Sequence, residues 1–273
     1  MDTIIAATDY SPLAENAADY AAALAKLAEE RLVLLNDFIV TPDAENARIP
    51  EHQYQKLLEL NKLHLAKRAL SLSERYGIEV IPRATSSYVE NELRNLISEY
   101  EPRVLVLGMA PRSWEQKLWG NTTTEVIKKL HSAVLVVPAG ARYEGFRKVL
   151  FACDILHGVS AQVLNRIKRL AMLTSAVIEV LMINAAGDGL EVLGTDPSPL
   201  KGIDENFDGI AYNYTQVNAD SVVKGIEREI IRSGADLLIM APQQHGFWDS
   251  FVHRSKTRIM ASGLEIPLLA LPL

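Results

Sequence analysis

The sequence predicts an α/β protein built from two tandem, five-stranded, doubly wound parallel-sheet domains, residues 1–140 and 141–273. Three observations carry this prediction. Short apolar runs alternate with helical patterns along the whole chain, and the N-terminal pattern returns from Lys148. Matching positions also keep an offset of 132 to 134 residues: Met240 answers Gly108, Pro242 answers Ala110 and Pro272 answers Pro138.

In the first half, TIIAAT is a strand that ends on Ala7-Thr8-Asp9, and Ser11 with Pro12 reads as the N-cap and N1 of a helix. Leu13, Ala17, Ala21, Leu24 and Ala28 mark one face of that helix. RLVLLNDFIV (31–40) is apolar on both faces, as a strand covered by helices on each side must be. A long helix from about Pro50 to Tyr76 follows, its apolar side carrying Tyr54, Leu57, Leu58, Leu65, Ala69 and Leu72, and it stops at Gly77. Strand IEVIPRA, a helix with Val89, Leu93, Leu96 and Ile97, strand VLVLGMAP and a terminal strand AVLVVP complete the half.

The second half repeats the order. KVLFACDI ends on Ala152-Cys153-Asp154, and a helix with Val163, Ile167, Leu170 and Thr174 follows. AVIEVLMINA, IAYNYTQV, a helix around Val222 to Ile231, ADLLIMAP and PLLALP continue the pattern. Residues 185–209, rich in Gly, Pro and Asp, read as a surface loop in place of the first half's long helix. AGARYEGF (139–146) is a short linker between the halves.

A net charge of −6, from 28 Lys and Arg against 34 Asp and Glu, excludes the basic face of a nucleic-acid-binding protein. No charge pattern points to a membrane surface. The acid at Asp2 and the short apolar run after it match neither a signal peptide nor a membrane span, so a cytoplasmic location is expected. The single cysteine, Cys153, forms no internal disulfide, agrees with a reducing compartment, and reads as a buried structural thiol.

The chemistry-bearing stretch is LVLGMAPRSWEQKLWGNTTTEVIKKL (105–130), in which a strand runs into Gly108 and Gly120-Asn121-Thr122 stands at the mouth of a helix. One reading is an anion cradle, since the first amides of a helix point unpaired at whatever precedes them. The other is a turn glycine followed by a helix cap.

Taken together, IIAATDYSPLAENAADYAAALA, PRVLVLGMAP, GADLLIMAP and the closing AVLVVP resemble the universal stress protein family, in two copies covering essentially the whole chain. The resemblance implies an adenine nucleotide alpha hydrolase-like fold, and a stress-response regulatory or binding module without catalysis. Its ATP-binding members share a loop Gly-x2-Gly-x9-Gly-Ser/Thr, and their early Asp contributes to the adenine pocket. Against that pattern, Asp9 matches the Asp, Gly108 the first glycine and Gly120 the third with the spacer one residue short, while Asn121-Thr122 replaces the phosphate-contacting Ser/Thr.

This chain also departs from the pattern. Pro111 stands at the second glycine, where its fixed φ and missing N–H remove a phosphate donor at a cost of about 1.5 to 3 kcal/mol. Asn36-Asp37 occupies the region where the family has a small apolar residue lining the adenine slot. Arg112 and Lys117 offer positive charge nearby, or form a solvated face. In the second half, Met240, Gln243 and His253 replace all three glycines, which closes the cradle, and only Asp154 survives. ATP is thus a candidate ligand for the first domain alone, through Asp9, Gly108, Gly120, Asn121 and Thr122.

Nothing marks a catalytic residue or a metal site. The six histidines form no H-x3-H pair, no serine sits in a G-x-S-x-G elbow, and neither G-x4-G-K-[ST] nor G-x-G-x-x-G occurs. Glu29-Glu30 at a helix end and Asp204-Glu205 in a loop read as solvated acids. Trp114 and Trp119 flank the first glycine loop, and Phe247, Trp248 and Phe251 the second. They serve internal packing, a planar ligand or a partner subunit, and a small apolar ligand between the domains stays open. The expected assembly is an intramolecular pseudo-dimer paired through the final strands, with a homodimer left open.

Overall fold

The structure, a computed structural model, describes residues 2–38, 50–86, 89–109, 132–153, 158–185, 198–241 and 265–271. They fall into two compact units, Met1–Met109 and Ala110–Leu273. Each unit is α/β, with strands and helices alternating along the chain except where β5 leads directly into β6 in the second unit.

The first unit holds β1 (Thr3–Thr8), α1 (Pro12–Ala28), β2 (Arg31–Asp37), α2 (Glu51–Tyr76), β3 (Val80–Thr85), α3 (Val89–Tyr100) and β4 (Val104–Met109). The strands run parallel in the order β3-β2-β1-β4. Residues of β1, β2 and β4 such as Ile5, Leu34 and Leu105 are fully buried, whereas β3 is half-buried and carries Pro82. A proline with no N–H to donate belongs on an edge strand, and β3 is one.

Helix α1 starts as the sequence specifies. Ser11 is its N-cap, with Oγ accepting from the Ala14 amide at 3.2 Å, and Pro12 opens the first turn. Its buried face is broader than the expected stripe. Ala17, Ala21 and Leu24 are buried as foreseen, Leu13 and Ala28 are half-buried at the ends, and Ala14, Ala18, Ala22 and Ala25 join the core. Helix α2 ends at Gly77, which takes φ +69° in a left-handed cap. Leu65, Ala69 and Leu72 face inward as foreseen, but Leu57 is 40 % exposed and its place is taken by Asn61.

The second unit holds β5 (Val134–Pro138), β6 (Lys148–Ala152), α4 (Ala161–Thr174), β7 (Val177–Ala185), α5 (Ser198–Phe207), β8 (Tyr212–Ala219), α6 (Val222–Ser233), β9 (Leu237–Met240) and β10 (Leu268–Ala270). Its strand order is β5-β10-β9-β6-β7-β8, parallel except that β5 runs antiparallel to β10, with Val136 opposite Leu268 and Val134 opposite Ala270. On α4, Val163 and Ile167 are buried as foreseen. Leu164 and Ala171 complete that face, and Leu170 and Thr174 stay half-buried.

The reading of 185–209 as loop is corrected at its C-terminal end, where Ser198–Phe207 is helix α5. Leu200, Ile203 and Phe207 recur at helical spacing, and Ile203 and Phe207 are buried at 2 % and 0 % exposure as α5 packs on α4. Asp204 is likewise no loop acid: its Oδ1 accepts from the hydroxyls of Tyr212 at 2.8 Å and Tyr214 at 2.7 Å, tying α5 to β8. Phe207→Ala should therefore lower stability by about 3 to 5 kcal/mol, measured by urea denaturation. A change below about 1 kcal/mol would mean that α5 is not part of the core.

Candidate functional site

The candidate site lies at the carboxyl ends of β1, β2 and β4 in the first unit, where an α/β sheet presents its loops to ligands. β1 ends on Thr8, which is 4 % exposed; its hydroxyl donates to Glu15 Oε1 at 2.8 Å and accepts from the Tyr10 amide at 3.0 Å. Asp9 is exposed, and its Oδ1 accepts from the Ser11 amide at 2.9 Å. The side chains of Thr8, Asp9 and Ser11 thus bind the backbone that carries the chain into α1. Tyr10 sits among them at φ +64°, an uncommon conformation for a non-glycine residue, held by these contacts.

From Tyr10 a relay of hydrogen bonds runs across the strand ends. The Tyr10 hydroxyl donates to Asn61 Oδ1 at 3.1 Å, Asn61 Nδ2 donates to Asn36 Oδ1 at 2.7 Å, and Asn36 Nδ2 donates to the Thr8 carbonyl at 2.8 Å. Asn36 and Asn61 are buried at 3 % and 9 % exposure, and the Tyr10 ring stacks on His64 with centroids 4.4 Å apart. Asn36 lies opposite Thr8 in the parallel register, so the polar residue that replaces the expected small apolar one is spent on the protein's own backbone and on α2. Behind the relay, Arg68 pairs with Glu15 and, at 3.0 Å, with Asp19, which also accepts from Arg75 at 3.0 Å. These ion pairs fix α1 against α2.

Gly108, the last residue but one of β4, faces the first turn of α1. A Cβ there would stand 2.9 Å from both Leu13 Cγ and the Leu13 carbonyl oxygen, closer than atoms pack. Helix packing alone accounts for this glycine.

Of the residues expected to hold a nucleotide, Asp9 and Gly108 are at the ends of β1 and β4, which are neighbours in the sheet. Gly120, Asn121 and Thr122 lie outside the described residues, as do Pro111, Trp114, Trp119, Asp154 and the aromatics Phe247, Trp248 and Phe251. In the second unit Met240, at the position answering Gly108, is 2 % exposed, and Cys153 is buried. Among the described residues no cluster of His, Cys, Asp and Glu is arranged to hold a metal, and no helix is long and apolar enough to cross a membrane.

Three acids are buried, and one of them, Glu30, differs from its expected solvation. Glu30 is 2 % exposed and pairs with Arg103 Nε at 2.7 Å; burial pushes its carboxyl above the ordinary range. Glu179, the third residue of β7, and Glu229 on α6 are both buried and share Arg232, whose Nη2 lies 2.6 Å from Glu179 Oε1. Thr215 adds a 2.7 Å hydrogen bond to the same oxygen. Asn61 is the residue of the relay most open to detection, as a polar side chain three positions after Leu58 and four before Leu65 on an otherwise apolar face.

The model of the universal stress protein family matches residues 1–138 of the 273. The chain belongs to the universal stress protein family. No curated protein matches it. Among solved structures, a universal stress protein from Archaeoglobus fulgidus DSM 4304 is similar over 99 % of this chain and 96 % of its own, at 16 % identity and TM-score 0.73. A functionally unknown protein from Pseudomonas aeruginosa PAO1 covers 100 % and 92 % at 14 % identity and TM-score 0.57. The cytoplasmic domain of a prokaryotic cation chloride cotransporter covers 98 % and 94 % at 13 % identity and TM-score 0.53. At such identities the likeness is one of fold, and a fold shared by a stress protein and part of a transporter leaves function to the site.

Two outcomes test this universal stress protein's site. Gly108→Ala should destabilise the fold by about 1 to 3 kcal/mol in urea denaturation even with no ligand present, because the added carbon meets Leu13 backbone; an unchanged midpoint would refute the packing role. Burial, then the charge of Glu15, pushes the Tyr10 hydroxyl up to about 12 from 10.0. Its neutral form is the one the fold favours, so its contribution is complete below pH 10 and is lost as pH rises through 12. Ultraviolet titration should show the phenol that disappears in Tyr10→Phe ionising near 12, and ionisation near 10 would contradict the relay.

Proposed function

We propose that this universal stress protein is a non-catalytic, stress-linked binding and regulatory module, made of two copies of the family domain at 1–140 and 141–273 and acting in the cytoplasm. The observation that carries it is the relay Tyr10–Asn61–Asn36–Thr8, which spends on the protein itself the polar groups at the adenine side of the family's cradle. The antiparallel pairing of β5 with β10 supports the accompanying pseudo-dimer, since those strands close the two proposed copies.

A second reading, ATP bound by the first copy with weak or no hydrolysis, is favoured by one feature. Asp9 remains exposed beside the end of β4, where it would meet the base, with Gly108, Gly120, Asn121 and Thr122 at the phosphates. Isothermal titration of the full chain with Mg-ATP separates the two. The binding-module reading expects no saturable heat up to millimolar nucleotide. Saturable heat that Gly120→Ala removes would replace it with the ATP reading.

A further inference from the structure

Helix α2 has an outer face that its own unit does not explain. Leu60, Leu63 and Leu70 are exposed at 53 %, 59 % and 58 %, and Lys56, Lys67 and Glu74 beside them are exposed as well. At about 100° per residue these six positions cluster on the side of the helix opposite Leu65 and Leu72, which are buried at 1 % and 0 %. Their spacing, 56-60-63-67-70-74, alternates by four and three, which is the a/d seam of a coiled coil and not the wider stripe of a helix lying on a sheet.

The seam is complementary to itself in one direction only. Laid antiparallel on a second copy about a two-fold axis near Leu65, Leu60 faces Leu70, Leu63 faces Lys67, and Lys56 faces Glu74. In this register each a position meets a d position, as antiparallel packing requires, and both ends of the seam close on opposite charges. A parallel arrangement puts Lys56 on Lys56, Lys67 on Lys67 and Glu74 on Glu74. Lys56 and Glu74 enter no ion pair among the described residues, whereas the neighbouring Lys62 is already held by Glu59 at 2.8 Å. Lys67 can lay its aliphatic stem on Leu63 and keep its ammonium in water, a device that weakens a seam while fixing its register.

We infer that α2 is a self-association surface, on which a second copy of this chain docks antiparallel through Leu60, Leu63 and Leu70 with Lys56 and Glu74 reading the register. The contact runs along one helix for roughly 27 Å, so it is a reversible, concentration-dependent dimer and not an obligate one. It is separate from the strand pairing of β5 and β10 and does not depend on whether nucleotide binds.

Sedimentation equilibrium on the full chain tests this. The unaltered protein should show a reversible monomer–dimer equilibrium. Leu63→Lys, at an exposed position and facing Lys67 of the second copy, should be monomeric at every concentration with an unchanged thermal midpoint. Lys56→Glu should weaken the dimer about tenfold, because two symmetry-related pairs become repulsive. Lys56→Glu combined with Glu74→Lys should restore it. The inference is overturned if the unaltered chain stays monomeric up to about millimolar concentration, if Leu63→Lys dimerises as well as the unaltered chain, or if the charge swap fails to recover what Lys56→Glu lost.

Discussion

The first unit is organised by how close α1 lies to its sheet. Only small residues permit that distance, and the helix supplies Ala14, Ala17, Ala18, Ala21, Ala22 and Ala25 on its inner side, with Gly108 as the matching gap in β4. The approach fixes where the chain must turn after β1. Because the turn is tight, Thr8, Asp9 and Ser11 hold its backbone, and Tyr10 accepts a left-handed conformation to complete it. The geometry of the strand ends is therefore set by helix packing before any ligand is considered.

The buried amides follow from that geometry. Asn36 at the end of β2 would be an unpaired polar group in the core, at a cost of about 1 to 3 kcal/mol, were its donor not on the Thr8 carbonyl and its acceptor on Asn61. Each member of the relay answers the next, which ties α2 to β1 and β2 at the carboxyl ends of the strands. A site whose polar groups are mutually satisfied presents less to a ligand than one whose donors are free. Asp9, outside the relay and still exposed, is the residue there that keeps a carboxylate oxygen for something else.

Much of this architecture was legible because it is written in local terms. Ser11-Pro12 announces a helix start, Gly77 a helix end, and apolar runs such as RLVLL and VLVLG announce covered strands. Gly202 and the acids Asp204 and Glu205 mask the face of helix α5, which has only three apolar residues, two of them buried where the helix packs on α4. Glu30 reads as an ordinary surface acid until Arg103 arrives from a distant part of the chain, and nothing local to Glu179 announces Arg232. For the site, the motif led to Asp9 and Gly108, but the reason for the glycine is Leu13, nearly a hundred residues earlier. Spacing within a loop carries no record of such a neighbour.

Arg232 carries a consequence of its own. Its side chain is 59 % exposed, so by position it belongs to the freely variable exterior. Yet it is the counter-ion on which two carboxylates, Glu179 and Glu229, depend while shielded from water. Accessibility and dispensability come apart there: a change that looks superficial would strand two negative charges in the interior of α6 and β7, and tolerance to substitution along this helix follows electrostatic debt rather than depth.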